Sequence, residues 1–345
     1  MTNSDHGSVA KHTTHKRETG NMTRFLVNFA ANYGLAVIFI LVLLAFGLLR
    51  PSTYLSQANV GNLLTSQSVT ALLALAVMLP LTTGRFDLSV GYHVGLAQVL
   101  VVGLQVNSGL GWQLAALLVL IIGVAVGALN AFLVTRLKID SFIATMGVGS
   151  VLYGISNWYT DGMQIAGFSL PDGYTGLAGA FLGVPVPALL VIAVGAVLWV
   201  LLERIPAGRA LYFIGSNARA AELSGINVPR SVGSTFIIAG GLCGIAGIVL
   251  GAILRSGTPS VGPEYLLPAF AASLLGATSI RPGRVNVGGT LLAILILAFS
   301  FSGVQQLGAA FYVEYLFNGG ILVIAVALSV YAAARRRKAA AVSGN

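Results

Sequence analysis

Charge is what this sequence has least of. Asp, Glu, Lys and Arg make up 8% of its 345 residues, while 56% are hydrophobic and the mean hydropathy is +0.88. A soluble domain carries about 25% charged residues, so the composition excludes a soluble fold and requires an integral membrane protein. Cysteine occurs once, as Cys243 within an apolar run, which excludes an internal disulfide and predicts a buried, unreactive thiol. No lysine follows a glycine, so the nucleotide-cradling sequence GxxxxGK[ST] is missing and the chain is not its own ATPase by that route. His, Cys, Asp and Glu nowhere cluster at metal-ligand spacing. His93 stands alone in an apolar run and is expected to be a packed, hydrogen-bonded side chain. No catalytic residue, metal or cofactor is therefore expected in this chain, and it does not read as an enzyme.

Charge is also missing where an ion-driven carrier needs it. A charged side chain at mid-bilayer costs about 2.5–3.5 kcal/mol on insertion scales, so such carriers keep a few for function. Here Asp87, Asp140, Glu203, Glu264 and Glu314 all fall at the ends of apolar runs. That distribution argues against proton- or sodium-coupled transport.

What is present is a series of apolar runs. A membrane span needs about 20 such residues, and ten candidates lie near 30–49, 60–81, 88–107, 112–135, 141–160, 185–203, 231–254, 264–280, 285–307 and 314–333. The run at 60–81 is polar at its start (Asn59, Asn62, Ser66, Gln67), and the one at 264–280 is short and contains Pro268. The expected fold is an all-α membrane domain of about ten helices over 30–333. It lies between a polar, disordered cytoplasmic tail (1–29) and a basic cytoplasmic tail (334–345). The first apolar stretch continues to about Leu49, longer than the ~7–15 residues of a signal-peptide core, and reads as a first span.

Basic residues orient these spans. With the N-terminus inside, the cytoplasm receives Lys11, Lys16, Arg17 and Arg24, then Arg85, Arg136 and Lys138. It also receives Arg204, Arg209, Arg219, Arg230, Arg281, Arg284 and the Arg335–Lys338 cluster, leaving only Arg50 and Arg255 outside. Cytoplasmic loops do carry the excess of Lys and Arg, and a wrong number of spans scrambles this partition. The net charge of +9 is thus a signal of orientation in the bilayer, and no nucleic-acid partner is expected. The outer loops carry Asp161, Asp172, Glu264 and Glu314; the largest, 161–184, is rich in Gly and Pro and reads either as a docking surface or as a passive connection.

One internal loop stands out. Residues 204–230 are polar and basic, and 208–225 (GRALYFIGSNARAAELSG) predict one short capped helix. Asn217 is placed to accept orphan backbone N–H bonds at its start, and Gly225 to end it in a left-handed conformation. A membrane protein keeps such an element for a partner in the cytoplasm.

Within the spans, small residues recur at helical spacing (Gly91/Gly95, Gly123/Gly127, Gly240/Gly244, Gly247/Gly251), which lets helix backbones approach closely. Neutral polar side chains also share helix faces. Gly91, Gly95, Gln98 and Gln105 align on the third span, Asn62 and Ser66 on the second, Ser150 and Asn157 on the fifth, and Ser302 adjoins Gln305 on the ninth. Such groups replace water around a neutral polyhydroxylated solute, and Asn62, Ser66, Gln98, Gln105, Asn157 and Gln305 are the path candidates. The alternative for each is an interhelical hydrogen bond. Asp87 and Ser89 are expected to cap the third span, or to take part in gating if a helix break there presents its end to the path.

Four blocks carry a resemblance. Residues 84–91 (GRFDLSVG), 127–149 (GALNAFLVTRLKIDSFIATMGVG), 208–229 (GRALYFIGSNARAAELSGINVP) and, more loosely, 273–290 (SLLGATSIRPGRVNVGGT) resemble, in that order, the ribose-type sugar permeases of bacterial ABC importers. The resemblance covers about 35–330. Departures are Leu266 and Pro268 where an acidic residue is usual, Gly276-Ala277 in place of a doubled glycine, and Arg85 before Phe86. The resemblance implies a multi-pass protein of the bacterial inner membrane that pairs with a second permease copy, identical or not. It further implies a cytoplasmic ATPase that binds the ATP and an extracytoplasmic solute-binding protein. Asn217, Arg219, Glu222, Leu223 and Gly225 then belong to the ATPase-coupling helix. The expected cargo is a monosaccharide or related small neutral solute. The rivals are branched-chain amino acids or nucleosides as cargo, a stand-alone facilitator or secondary carrier, and a scaffold without transport.

Overall fold

The computed structural model describes residues 33–310 and, beyond them, 312–314, 316–321, 323, 324 and 327. Both polar tails lie outside the described residues, as does much of the tenth apolar run, whose described residues from 313 onward are helical. The chain folds as α1 (Tyr33–Leu49), α2 (Gln57–Thr82), α3 (Ser89–Val106), α4 (Trp112–Thr135) and α5 (Ser141–Thr160). After β1 (Ile165–Ala166), α6 (Asp172–Thr175), β2 (Ala180–Phe181) and β3 (Val184–Pro185) come α7 (Val186–Glu203), α8 (Pro206–Ser216), α9 (Ala218–Leu223) and α10 (Val228–Leu254). β4 (Ser256–Gly257), α11 (Leu266–Gly276) and α12 (Val287–Gln306) complete it. Among the described residues, six helices are long and apolar enough to cross a membrane: α2, α3, α4, α7, α10 and α12.

Two helices form the centre. α10 packs against α2, α3 and α4, and α2 is buried from Ser68 to Thr82 at every residue but Leu81. The small-residue pairs make this contact possible. Gly123 and Gly127 of α4 face Gly240 and Gly244 of α10, where a Cβ on Gly123 falls 2.7 Å from the Gly240 carbonyl oxygen. Real side chains do not tolerate that distance, so backbone lies on backbone, as small residues permit in lipid.

The eighth apolar run differs from a continuous span. α10 ends with Arg255 in the left-handed region, and the chain continues through β4 and a 3-10 turn at Gly262–Tyr265 into α11. α11 has 11 residues, about 16 Å at 1.5 Å per residue and half of a ~30 Å hydrocarbon core. The segment survives because it is buried in protein. Gly91 and Gly95 of α3 lie against Gly262, and Gln98 accepts from the Thr258 N–H at 3.1 Å and donates to the Ser256 carbonyl. β4 also pairs antiparallel with β1, Ile165 opposite Gly257. The loop over 161–184 is thus built, with a turn of helix, this pair and a β2–β3 hairpin whose tip, Leu182-Gly183, has both residues at positive φ.

Candidate functional site

The 204–230 loop contains two helices where the sequence predicts one. Pro206 opens α8, a position that needs no N–H, and Gly208, Leu211 and Ile214 bury one face. α9 is the capped element. Asn217 accepts from the Ala220 N–H at 2.9 Å. At the other end Gly225 has φ +83, its N–H reaches the Glu222 carbonyl at 3.0 Å, and the Ile226 N–H reaches that of Ala221 at 3.1 Å. This is the Schellman pattern. Caps close both ends of this six-residue helix, in which only Ala221 is buried. Arg219 and Glu222 pair with each other at 2.9 Å on the surface, and the apolar Leu223 is 76% exposed.

The four sequence blocks meet at this end of the molecule. In the first, the Phe86 N–H donates to the Ser141 hydroxyl at 3.2 Å and the Leu88 N–H to the Thr145 hydroxyl at 2.9 Å, both from the second block. Asp87 is 2% exposed and accepts from the backbone N–H and hydroxyl of Ser89 at 3.0 and 2.5 Å. Asn130 donates to Ser89 at 2.8 Å and lies 3.5 Å from Asp87. Asp87 thus stands one residue before the N-cap, Leu88, and still satisfies an amide of the first turn; Ser89 bridges it to α4. The sequence expects a cap there and misses Asn130, which is 1% exposed. Its place in the second block was the available signal.

The third and fourth blocks are joined as well. Gly215 of α8 lies against the backbone of Thr82 and Thr83, where no Cβ fits. Tyr212 donates to the Val285 carbonyl at 2.9 Å, Arg284 stacks over its ring at 5.5 Å, and Arg281 pairs with Glu203. Burial, and then the Glu203 charge, push the Tyr212 phenol up to about 12, so it stays a donor at neutral pH. Asn286 ties the ends of α11 and α12 together: its amide donates to the carbonyls of Gly276, Ser279 and Arg284, and its oxygen accepts from the Gly289 N–H. A cavity of about 410 Å³ opens here between Leu81, Gly84, Tyr212, Ser216, Leu274 and Arg284.

The path candidates separate. Gln98 is fully buried and holds the broken segment. Gln105 and Asn157 donate to carbonyls of their own helices, at Val101 and Tyr153. Asn62 and Gln305 are exposed. Gln306, beside Gln305, bonds Ser302 and Thr53, fastening the C-terminus of α12 to the chain before α2. Ser66 lines a cleft of about 200 Å³ between α2, α11 and α12. Its other polar walls are Gln67, Thr70, Glu264, Tyr265, Glu314 and Asn318. Glu264 and Glu314, assigned from sequence to outer loops, share this cleft with residues well inside α2. His93 is buried, and its Nε2 has no hydrogen-bond partner among the described residues, unlike the expectation; Cys243 is buried and free as expected. Among the described residues no group of His, Cys, Asp or Glu is placed to hold a metal.

Residues 59–326 match the family described as "Branched-chain amino acid transport system / permease component". The chain is 39% identical over 292 residues to the ribose import permease protein of Bacillus subtilis (strain 168), covering 84% of this chain and 90% of that one. It is 31% identical over 305 residues to the D-allose transport system permease protein of Escherichia coli (strain K12), covering 87% and 93%. Identity is also 31% over 318 residues with the galactose/methyl galactoside import permease protein of Salmonella typhimurium (strain LT2), covering 86% and 94%. No solved structure matches.

Proposed function

The chain belongs to the permease components of ABC import systems, multi-pass proteins of the inner membrane, and from that premise we propose that it forms the transmembrane path for a monosaccharide. The family description speaks of branched-chain amino acids, but the relatives that align over most of the chain are named for ribose, allose and galactose. The sugar reading follows those relatives.

The observation that carries the mechanism is the capped, exposed α9 joined through α8 to the broken segment. A cytoplasmic ATPase holds the ATP; this chain holds none. Its closure pushes on Arg219, Glu222 and Leu223. α8 passes the displacement through Tyr212, and through the end of α7 and its Glu203–Arg281 pair, to the 277–286 loop, and so to α11, whose far end borders the cleft. Asn217 and Gly225 keep the pushed element stiff. A solute-binding protein docks on the opposite side, where Phe168 and Leu182 of the 161–184 loop stand almost fully exposed. A second permease copy completes the path. In this reading the chain crosses the membrane ten times over 30–333, with α11 and its extended approach as one crossing, and both tails (1–29 and 334–345) lie in the cytoplasm.

Pull-down of the tagged chain from native membranes in mild detergent tests this reading. An ABC ATPase is expected in the eluate, and is expected to be lost when Arg219 and Glu222 are both replaced by Ala while the chain stays folded. Recovery of the folded chain without an ATPase, repeated after crosslinking, overturns the coupling role of α9 and moves the weight to a stand-alone carrier.

A further inference from the structure

We propose that the cleft between α2, α11 and α12 is a binding subsite for a polyhydroxylated solute within the permease itself, so that selectivity does not rest with a solute-binding protein alone. This rests on the reading of the chain as a sugar permease and names the part of it that recognises cargo.

The first argument is hydrogen bonding. Along α2 the hydroxyls of Thr65, Ser66 and Ser68 donate to carbonyls of their own helix, at Gly61, Leu63 and Leu64. Thr70 does not. It is 5% exposed, lines the cleft, and has no hydrogen-bond partner among the described residues. Its hydroxyl opens onto the cleft, so it is available to a group that enters there. The side chains of Gln67, Glu264, Tyr265, Glu314 and Asn318, on the same wall, likewise make no hydrogen bond among the described residues. Elsewhere Gln98, Asn286 and Ser273 are tied down, while His93 Nε2, Gln105 Oε1, Asn130 Oδ1 and Ser156 Oγ are buried without a partner among the described residues.

The second argument is the donor and acceptor inventory. Glu264 and Glu314 are acceptors, and a carboxylate takes two hydroxyl donors at once. Gln67 and Asn318 offer both a donor pair and an acceptor, and Thr70 and Tyr265 either role. Phe301, Leu297 and Pro268 give the cleft an apolar side. A solute with adjacent hydroxyls on one edge and C–H groups on the other satisfies both sides. No Lys or Arg lines the cleft, so an anionic solute meets two carboxylates and no countercharge. The neighbouring groove between α2, α7 and α12, walled by Leu64, Ala71, Val191 and Leu295, is apolar and offers no such chemistry.

The test is equilibrium binding of radiolabelled D-ribose, D-allose and D-galactose to the full chain in lipid nanodiscs with no binding protein present. One of them is expected to bind saturably. Losing a hydroxyl or a charged acceptor is expected to weaken it about tenfold in Thr70→Val and in Glu314→Gln, and Thr70→Ser is expected to restore it. If Glu314→Gln does not fold, the Thr70 pair decides alone. Binding unaltered in Thr70→Val overturns the subsite, as does the absence of any saturable binding. Binding that requires an amine-bearing analogue and is displaced by simple cations also overturns it, in favour of a cation site at the two carboxylates. ATP-driven uptake by the complete system is measured beside it. Uptake without binding to the permease sinks the subsite and leaves the importer standing, while the absence of ATP-driven uptake of any sugar counts against the importer alone.

Discussion

Asp87 shows how one residue answers to two helices. Read along the chain it is a helix cap; in space its carboxylate and the Asn130 amide converge on Ser89, all three almost fully buried. A buried polar group is tolerated when its hydrogen bonds are made and costs about 1–3 kcal/mol when one is lost. Asp87→Ala strands the N–H and the hydroxyl of Ser89, so a loss of that order is expected as a lower melting temperature in detergent. Asp87→Asn keeps an acceptor for the Ser89 N–H and is expected to retain most uptake. Near-complete loss of uptake at an unaltered melting temperature assigns the charge itself to gating instead. The same lesson holds for Gln98. Its helical spacing with Gly91 and Gly95 marks one face of α3 correctly, but the partner of that face is the 256–262 segment, 158 residues further along at Ser256. Periodicity reports which residues point together and is silent on what they meet.

Among the elements, the broken eighth segment and the α8–α9 pair depart most from what the apolar pattern suggests, for a common reason. Hydropathy averages over about 20 residues, so it cannot see an 11-residue helix entered through extended chain, nor divide one polar loop into two helices at Asn217. Local chemistry does better: Asn217 and Gly225 are legible from residue type alone, because the cap geometries demand them. Tyr212 and Arg284 tie α8 to the segment after α11, and the Glu203–Arg281 pair ties the end of α7, which packs against α8, to that same segment, with Glu203 largely buried and Arg281 half-exposed. If this tie transmits the ATPase stroke, Glu203→Arg lowers solute moved per ATP hydrolysed severalfold while the ATPase still co-purifies, and adding Arg281→Glu recovers it. Proteoliposomes that report uptake and phosphate release together measure this. An unaltered ratio in Glu203→Arg removes the pair from the coupling route.

For the whole molecule the most legible property is the one that depends least on contacts. Apolar length and the sidedness of Lys and Arg arise from the bilayer acting on the chain, so composition and order suffice to read them. The site resists such reading because it is assembled from α2, the 3-10 turn before α11, α12 and residues 314 and 318, which are adjacent only once folded. One inference from composition is changed by the assembly. The absence of charge within spans argues against ion coupling, yet Glu264 and Glu314 converge on one cleft beside Thr70, an arrangement that a proton- or sodium-driven carrier also uses. The energy source therefore has to be measured directly. An importer driven by a separate ATPase loses uptake when cellular ATP is depleted and keeps it when an uncoupler collapses the proton gradient with ATP maintained. That is the expected outcome for this chain. The reverse pattern, with uptake abolished by the uncoupler at constant ATP, reassigns the two carboxylates to ion coupling and leaves α9 without a stroke to receive.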